Sequence, residues 1–82
     1  MILADIYIPS LDKTCDFQLD ETAPVNRLIA EIAEITGTIV KSERRYLEET
    51  FLLCSIDQGI IFERERSLRS YGIQNGARLL LV

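Results

Sequence analysis

The chain contains no histidine and no tryptophan, and in 82 residues it has two cysteines, two prolines and four glycines. Without histidine, the side chain that ordinarily exchanges protons near neutral pH is missing. Cys15 and Cys54 are too far apart for a CxxC redox or metal motif. Neither has a histidine to activate it, and each sits in an apolar stretch, where a thiol is a small hydrophobe. Basic charge is the minority: nine Lys and Arg face thirteen Asp and Glu, a net charge of −4. That balance argues against nucleic acid, which is bound by clustered Lys and Arg. No apolar run approaches the roughly 20 residues of a membrane-spanning helix. The opening Met1-Ile2-Leu3-Ala4-Asp5 lacks the basic start of a secretory leader. No glycine-rich loop precedes a helix, so there is no phosphate cradle. Asp16, Asp20 and Glu21 lie close in sequence but lack the glycine turn and converging oxygens of a hard-cation loop. The expectation is a cytoplasmic chain with reduced thiols and no catalytic residues, cofactor, metal, membrane insertion or small-molecule substrate.

What is present is apolar patterning. The hydrophobic fraction is 48%, and a chain of this length has room for one domain, residues 1–82, burying about 60% of its unfolded surface. Ile2, Ala4, Ile6 and Ile8 alternate with Leu3, Asp5 and Tyr7, the period of a half-buried strand. After the turn of Pro9 to Thr14, Cys15, Phe17 and Leu19 alternate with Asp16, Gln18 and Asp20, which predicts a hairpin. A helix is expected at about 24–36. Thr22 or Ala23 stands at its mouth, Pro24 suits its first position, and Gly37 suits its close. Its buried stripe is Val25, Leu28, Ile29, Ile32, Ala33 and Ile35 or Thr36; Asn26, Arg27, Ala30, Glu31 and Glu34 face away. Residues 38–50 fit either a helical turn capped by Ser42 or a crossing loop. Phe51 to Ser55 and Ile60 to Phe62 read as short strands about a Gln58-Gly59 turn, with Glu63 to Arg66 a charged connector. Leu68, Tyr71 and Ile73 suit a tight helical turn, and Asn75-Gly76 reverses the chain into a strand from Arg78 to Val82. One amphipathic helix and one sheet face bury each other, giving a two-layer α+β fold. The first and last strands, the most apolar, should lie side by side and parallel at its centre.

The stretch Leu68-x-x-Tyr71-Gly72-Ile73-x-Asn75-Gly76-x-x-Leu79-x-Leu81 resembles the close of ubiquitin-like β-grasp domains. Together with Pro24-Val25-x-x-Leu28-Ile29 it is similar to the small bacterial proteins of the YukD and EsaB type, with Ala77 where many of them carry Asp. The resemblance covers nearly the whole chain. It implies a mixed sheet of four to five strands on one main helix. It also implies a non-enzymatic accessory component of a Gram-positive type VII (WXG100, ESX-like) secretion system, whose partner is a protein of that machinery. The conjugated members of the superfamily continue into a Gly-Gly tail, which the strand ending at Val82 does not show. The alternatives are a covalent modifier or sulfur carrier whose tail lies beyond this sequence, or the ubiquitin-like N-terminal domain of a larger membrane component.

Two surfaces could carry such a contact. Arg44, Arg45, Arg64, Arg66 and Arg69 form a local basic excess, matched by Glu43, Glu48, Glu63 and Glu65, and read first as a solvated face. The better candidate is the outer face of the sheet. If Leu79 and Leu81 point to the core, Leu80 and Val82 point out, and Leu3, Tyr7 and Leu53 are expected to join them in an exposed apolar patch.

Overall fold

The computed structural model describes residues 1–37 and 51–82. The two readings of residues 38–50, and Arg44 and Arg45, fall outside the described residues. The elements run β1 (Ile2–Ile8), β2 (Lys13–Leu19), α1 (Val25–Ile35), β3 (Leu53–Ser55), β4 (Ile60–Ile61) and β5 (Ala77–Leu81). They form one five-stranded sheet in the order β2-β1-β5-β3-β4. β1 pairs antiparallel with β2 and parallel with β5, and β3 pairs antiparallel with β5 and β4. No described helix is long and apolar enough to cross a membrane.

The period-two alternation of the opening strand becomes an inward row, Ile2, Ala4, Ile6 and Ile8, buried against α1. From the helix, Val25, Leu28, Ile29 and Ile32 enter the same core, with Phe17, Leu19, Leu53, Phe62, Leu68, Leu79 and Leu81. Ala30, expected on the polar face, is also buried, whereas Ile35 is 72% exposed. The helix starts one residue later than expected. Pro24 has extended geometry (ψ 143°) and pairs with Ser67 in an isolated bridge instead of opening the helix. Proline's missing N–H costs nothing there. The next amides, which have no partner within the helix, donate to the charged connector: Val25 N to the Arg66 carbonyl (2.8 Å) and Asn26 N to that of Arg64 (3.0 Å). At the other end Gly37 adopts the expected left-handed conformation (φ 73°).

Leu68–Tyr71 is a tight 3₁₀ turn whose capping Ser67 accepts from Ser70 N. The Asn75-Gly76 reversal does more than turn the chain. Asn75 Oδ1 accepts the Leu3 amide at 2.8 Å, and Gly76 N donates to the Leu3 carbonyl at 2.9 Å. The turn thereby clamps the start of β5 onto β1.

Leu53 corrects the expected outer patch. It is fully buried, because its register partner is the inward Leu81 and strand alternation then turns Cys54 outward. The run Phe51-Leu52-Leu53-Cys54 is apolar at every position, so no alternation in it marks the face. Leu53→Ala should therefore cost about 2–5 kcal/mol in urea unfolding, as buried leucine truncations do. Leu52→Ala, at a partly exposed site, should cost under about 1 kcal/mol. Equal losses would reverse the assignment of faces.

Candidate functional site

Strand register aligns the outward side chains in rows. Tyr7 lies opposite Thr14 on one side and Leu80 on the other, Leu80 opposite Cys54, and Cys54 opposite Ile61. Neighbouring strands lie about 4.8 Å apart, so Tyr7, Leu80, Cys54 and Ile61 form a continuous apolar band across four strands. Ile61 is exposed, and Tyr7, Leu80 and Cys54 are half-buried. At one end Leu52 and Val82 exchange backbone hydrogen bonds of 2.7 and 2.9 Å, extending the β3–β5 ladder by a residue. Both side chains are exposed there. Leu3 is 57% exposed at the far end of β1, separated from the band by Asp5.

Of the five residues expected from sequence, Tyr7, Leu80 and Val82 therefore come together, Leu3 flanks them, and Leu53 belongs to the core. Cys54 and Ile61 complete the band and were not read from the sequence. Cys54 looked like a buried structural thiol, and Ile60-Ile61-Phe62 has no alternation to mark its outward member. Both cysteines are free and half-buried, on opposite faces of the sheet.

Beside the band runs a charged row. Asp16 faces Asp5, and Asp5 faces Arg78. Arg78 is held by Asp57: Nε lies 2.8 Å from Oδ1, the terminal nitrogen 2.7 Å from Oδ1, and the backbone amide also donates to Asp57 at 3.0 Å. These donors keep the Asp57 carboxyl below its ordinary pKa. Asp5 shifts the other way, raised by hydrogen bonding to Asp16 and by its charge. The Tyr7 hydroxyl donates to Asp12 at 3.2 Å, and that bond raises its pKa. Burial pushes the Cys54 thiol up, away from a reactive thiolate. No cluster among the described residues could hold a metal ion. Among the described residues the face brings no nucleophile to a base.

Two of the described arginines of the basic excess, Arg64 and Arg66, are built into the fold. The Arg66 guanidinium stacks over Tyr71 at 4.1 Å and bonds Ser70, and an Arg64 terminal nitrogen donates to the Phe51 carbonyl at 3.1 Å. Arg69 is exposed.

One helix laid across a five-stranded mixed sheet, with first and last strands parallel at its centre, is the ubiquitin-like β-grasp. Solved structures share this fold. The ubiquitin-like domain of an Arabidopsis thaliana protein superposes with a TM-score of 0.74 at 22% identity, covering 99% of this chain and 74% of that one. The N-terminal ubiquitin-like domain of a second protein gives 0.75 at 20%, covering 99% and 72%. A de novo design based on ubiquitin gives 0.74 at 18%, covering 99% and 85%. No curated protein sequence matches the chain. Residues 3–81 match the family of protein YukD of the WXG100 protein secretion system, and the chain belongs to that family. This ties it to WXG100 secretion, in a family and fold that are typically non-catalytic.

The two carboxylate shifts have opposite consequences. Asp5, raised in the fold, stabilises the protein only below its unfolded pKa and loses that contribution as pH rises through the folded value. Asp57, depressed, stabilises above its unfolded pKa and loses that contribution as pH falls. Asp16→Asn should thus raise the melting temperature at pH 7 by roughly 1–4 °C, with the gain vanishing below about pH 4. Asp57→Asn should lower it at pH 7. Thermal melts from pH 3 to 8 check both signs.

Proposed function

We propose that this chain is a cytoplasmic, non-conjugated protein-interaction module of the WXG100 secretion system. It docks onto a larger component of that machinery through the outer face of its sheet and acts as an accessory or regulatory subunit by binding alone. The observation carrying the reading is the band Tyr7, Leu80, Cys54 and Ile61, in register across four strands on a chain of this secretion family. An antiparallel or mixed sheet left open on one side is ordinarily polar there, and a contiguous apolar patch marks a contact. Leu80 sits at its centre, where interface energy concentrates. Asp57–Arg78 and Asp5–Asp16 supply a charged rim that sets orientation more than affinity.

Leu80→Asp tests the reading. The side chain is outward and only half-buried, so the variant should keep the native amide spectrum while its co-purification with secretion components from native cytoplasm falls at least about tenfold. A folded variant that captures them as well as the parent would exclude this face.

A further inference from the structure

The outer face of the sheet is unevenly charged. Beside the apolar band, Asp16, Asp5 and Arg78 stand in one row across β2, β1 and β5. Arg78 is the one cation among the outward strand residues described; Lys13 is in register with the buried Ile8 and belongs to the other face. Arg78 is also spent. Its guanidinium and its amide both engage Asp57. Its neighbour on the β3 side is Ile56, exposed and apolar, whose amide donates to the Arg78 carbonyl at 2.9 Å. Among the described residues of this face, the Asp5–Asp16 pair is therefore left without a counter-ion. Like charges opposite one another across a strand pair destabilise it, and the raised pKa of Asp5 records that.

Tyr7 stands next to the pair. It is two residues from Asp5 on the same face, roughly 7 Å along the strand, and in register with Leu80 of the band. Its hydroxyl donates to Asp12 at 3.2 Å, which holds the ring where it adjoins both the carboxylates and the apolar side chains. The carboxylates limit what can cover this face. They repel phosphate, so an anionic lipid surface or a nucleic acid is disfavoured. A second copy of the chain would bring only Arg78 on its own matching face, and that guanidinium is committed to Asp57.

We infer that the partner docked on this face carries an arginine whose guanidinium bridges the Asp5 and Asp16 carboxylates beside the Tyr7 ring, while adjoining apolar side chains cover Leu80, Cys54 and Ile61. This partner chemistry presupposes docking through the sheet face and adds to it the charge that the partner must bring. Arginine suits the place better than lysine. Its planar fork offers N–H donors to two carboxylates whose strands lie about 5 Å apart, where an ammonium is a single point charge. Its flat face also stacks on an aromatic ring.

The probe is the capped tripeptide arginine-leucine-leucine, titrated into the ¹⁵N-labelled chain. Its controls replace arginine with citrulline, which keeps the shape without the charge, and with lysine. The arginine peptide should bind in the millimolar range and shift the amides of Asp5, Tyr7, Asp16 and Leu80. It should bind about three- to tenfold more tightly than the citrulline peptide at low salt, with lysine between them, and the gap should narrow at high salt. Asp5→Asn and Asp16→Asn each relieve repulsion and keep the fold, and each should remove most of the preference. Glu31→Gln, which deletes the same charge from α1 in the other layer, should leave it unchanged. Leu80→Ser should weaken the arginine and citrulline peptides by the same factor. Citrulline matching arginine while Leu80→Ser weakens both would therefore sink the arginine and leave the sheet-face reading standing. Lysine equal to arginine, a preference that survives both Asn variants or disappears with Glu31→Gln, shifts centred away from Asp5 and Tyr7, or absence of binding at millimolar peptide would each overturn the inference.

Discussion

The parallel pairing of β1 with β5 is the constraint on which the other features depend. It joins Ala4 through Tyr7 to Ala77 through Leu80, nearly the two extremes of the chain. No local preference can form it, because the loop between the partners must close before any of their contacts count. Once formed, it fixes which side chains of both strands face α1. Ile6 meets Leu79 inward and Tyr7 meets Leu80 outward, so one register builds the centre of the core and the centre of the apolar band. A slip of one residue would exchange the two sets. Asn75 and Gly76 guard against that slip: the turn fastens to both the amide and the carbonyl of Leu3. The Asn side chain is thus chosen by an acceptor's position as much as by turn preference, and Gly76, at φ 85°, by the left-handed backbone that brings its amide there.

A second closure ties the helix to the same frame. The first amides of α1 are satisfied by carbonyls of Arg64 and Arg66, and Pro24 bridges to Ser67. The charged connector is therefore a backbone clasp, and its two arginine side chains are committed too. Arg66 lies on Tyr71, whose ring packs against Phe62 at 4.9 Å and whose hydroxyl accepts the Glu63 amide at 2.9 Å. A run of alternating Glu and Arg reads as a solvated face because its charges dominate the eye. What it contributes here comes from carbonyls and the guanidinium plane, neither of which any charge pattern reveals. Arg66 satisfies hydrogen-bond and cation–π contacts within the fold, which weakens the case for a charge-steered contact through this segment.

Where the sequence alternates, its reading matched the structure. Ile2 to Ile8 declared both a strand and its buried face, the 3.6-residue stripe declared the helix, and Asn-Gly declared the last reversal. Together they made the β-grasp legible, including its parallel centre. Legibility stopped where every position is apolar. In Phe51-Leu52-Leu53-Cys54 and Ile60-Ile61-Phe62 hydrophobicity carries no phase, so the face of each side chain comes only from the partner strand's register. That placed Leu53 inside and left Cys54 and Ile61 to complete the outer band. The cysteines show the same limit. Both lie in strand-like stretches, yet register puts Cys15 on the core side of β2 with Ile6 and Cys54 on the outer face of β3 with Leu80.

The charges on the outer face separate a structural role from a retained cost. Asp57 is spent on Arg78 through both side chain and backbone, and its depressed pKa records a net gain from being ionised there. Asp5 and Asp16 have no such account: each is exposed, each opposes the other, and the raised pKa of Asp5 records a loss. Asparagine at either position would fit the strand without that loss, so the repulsion is not required by the fold. Such a local conflict in an otherwise consistent design is where a binding role is to be sought. The fold thereby explains Asp57 and Arg78 along this row, and leaves the repelling Asp5–Asp16 pair to the rim of the outer face.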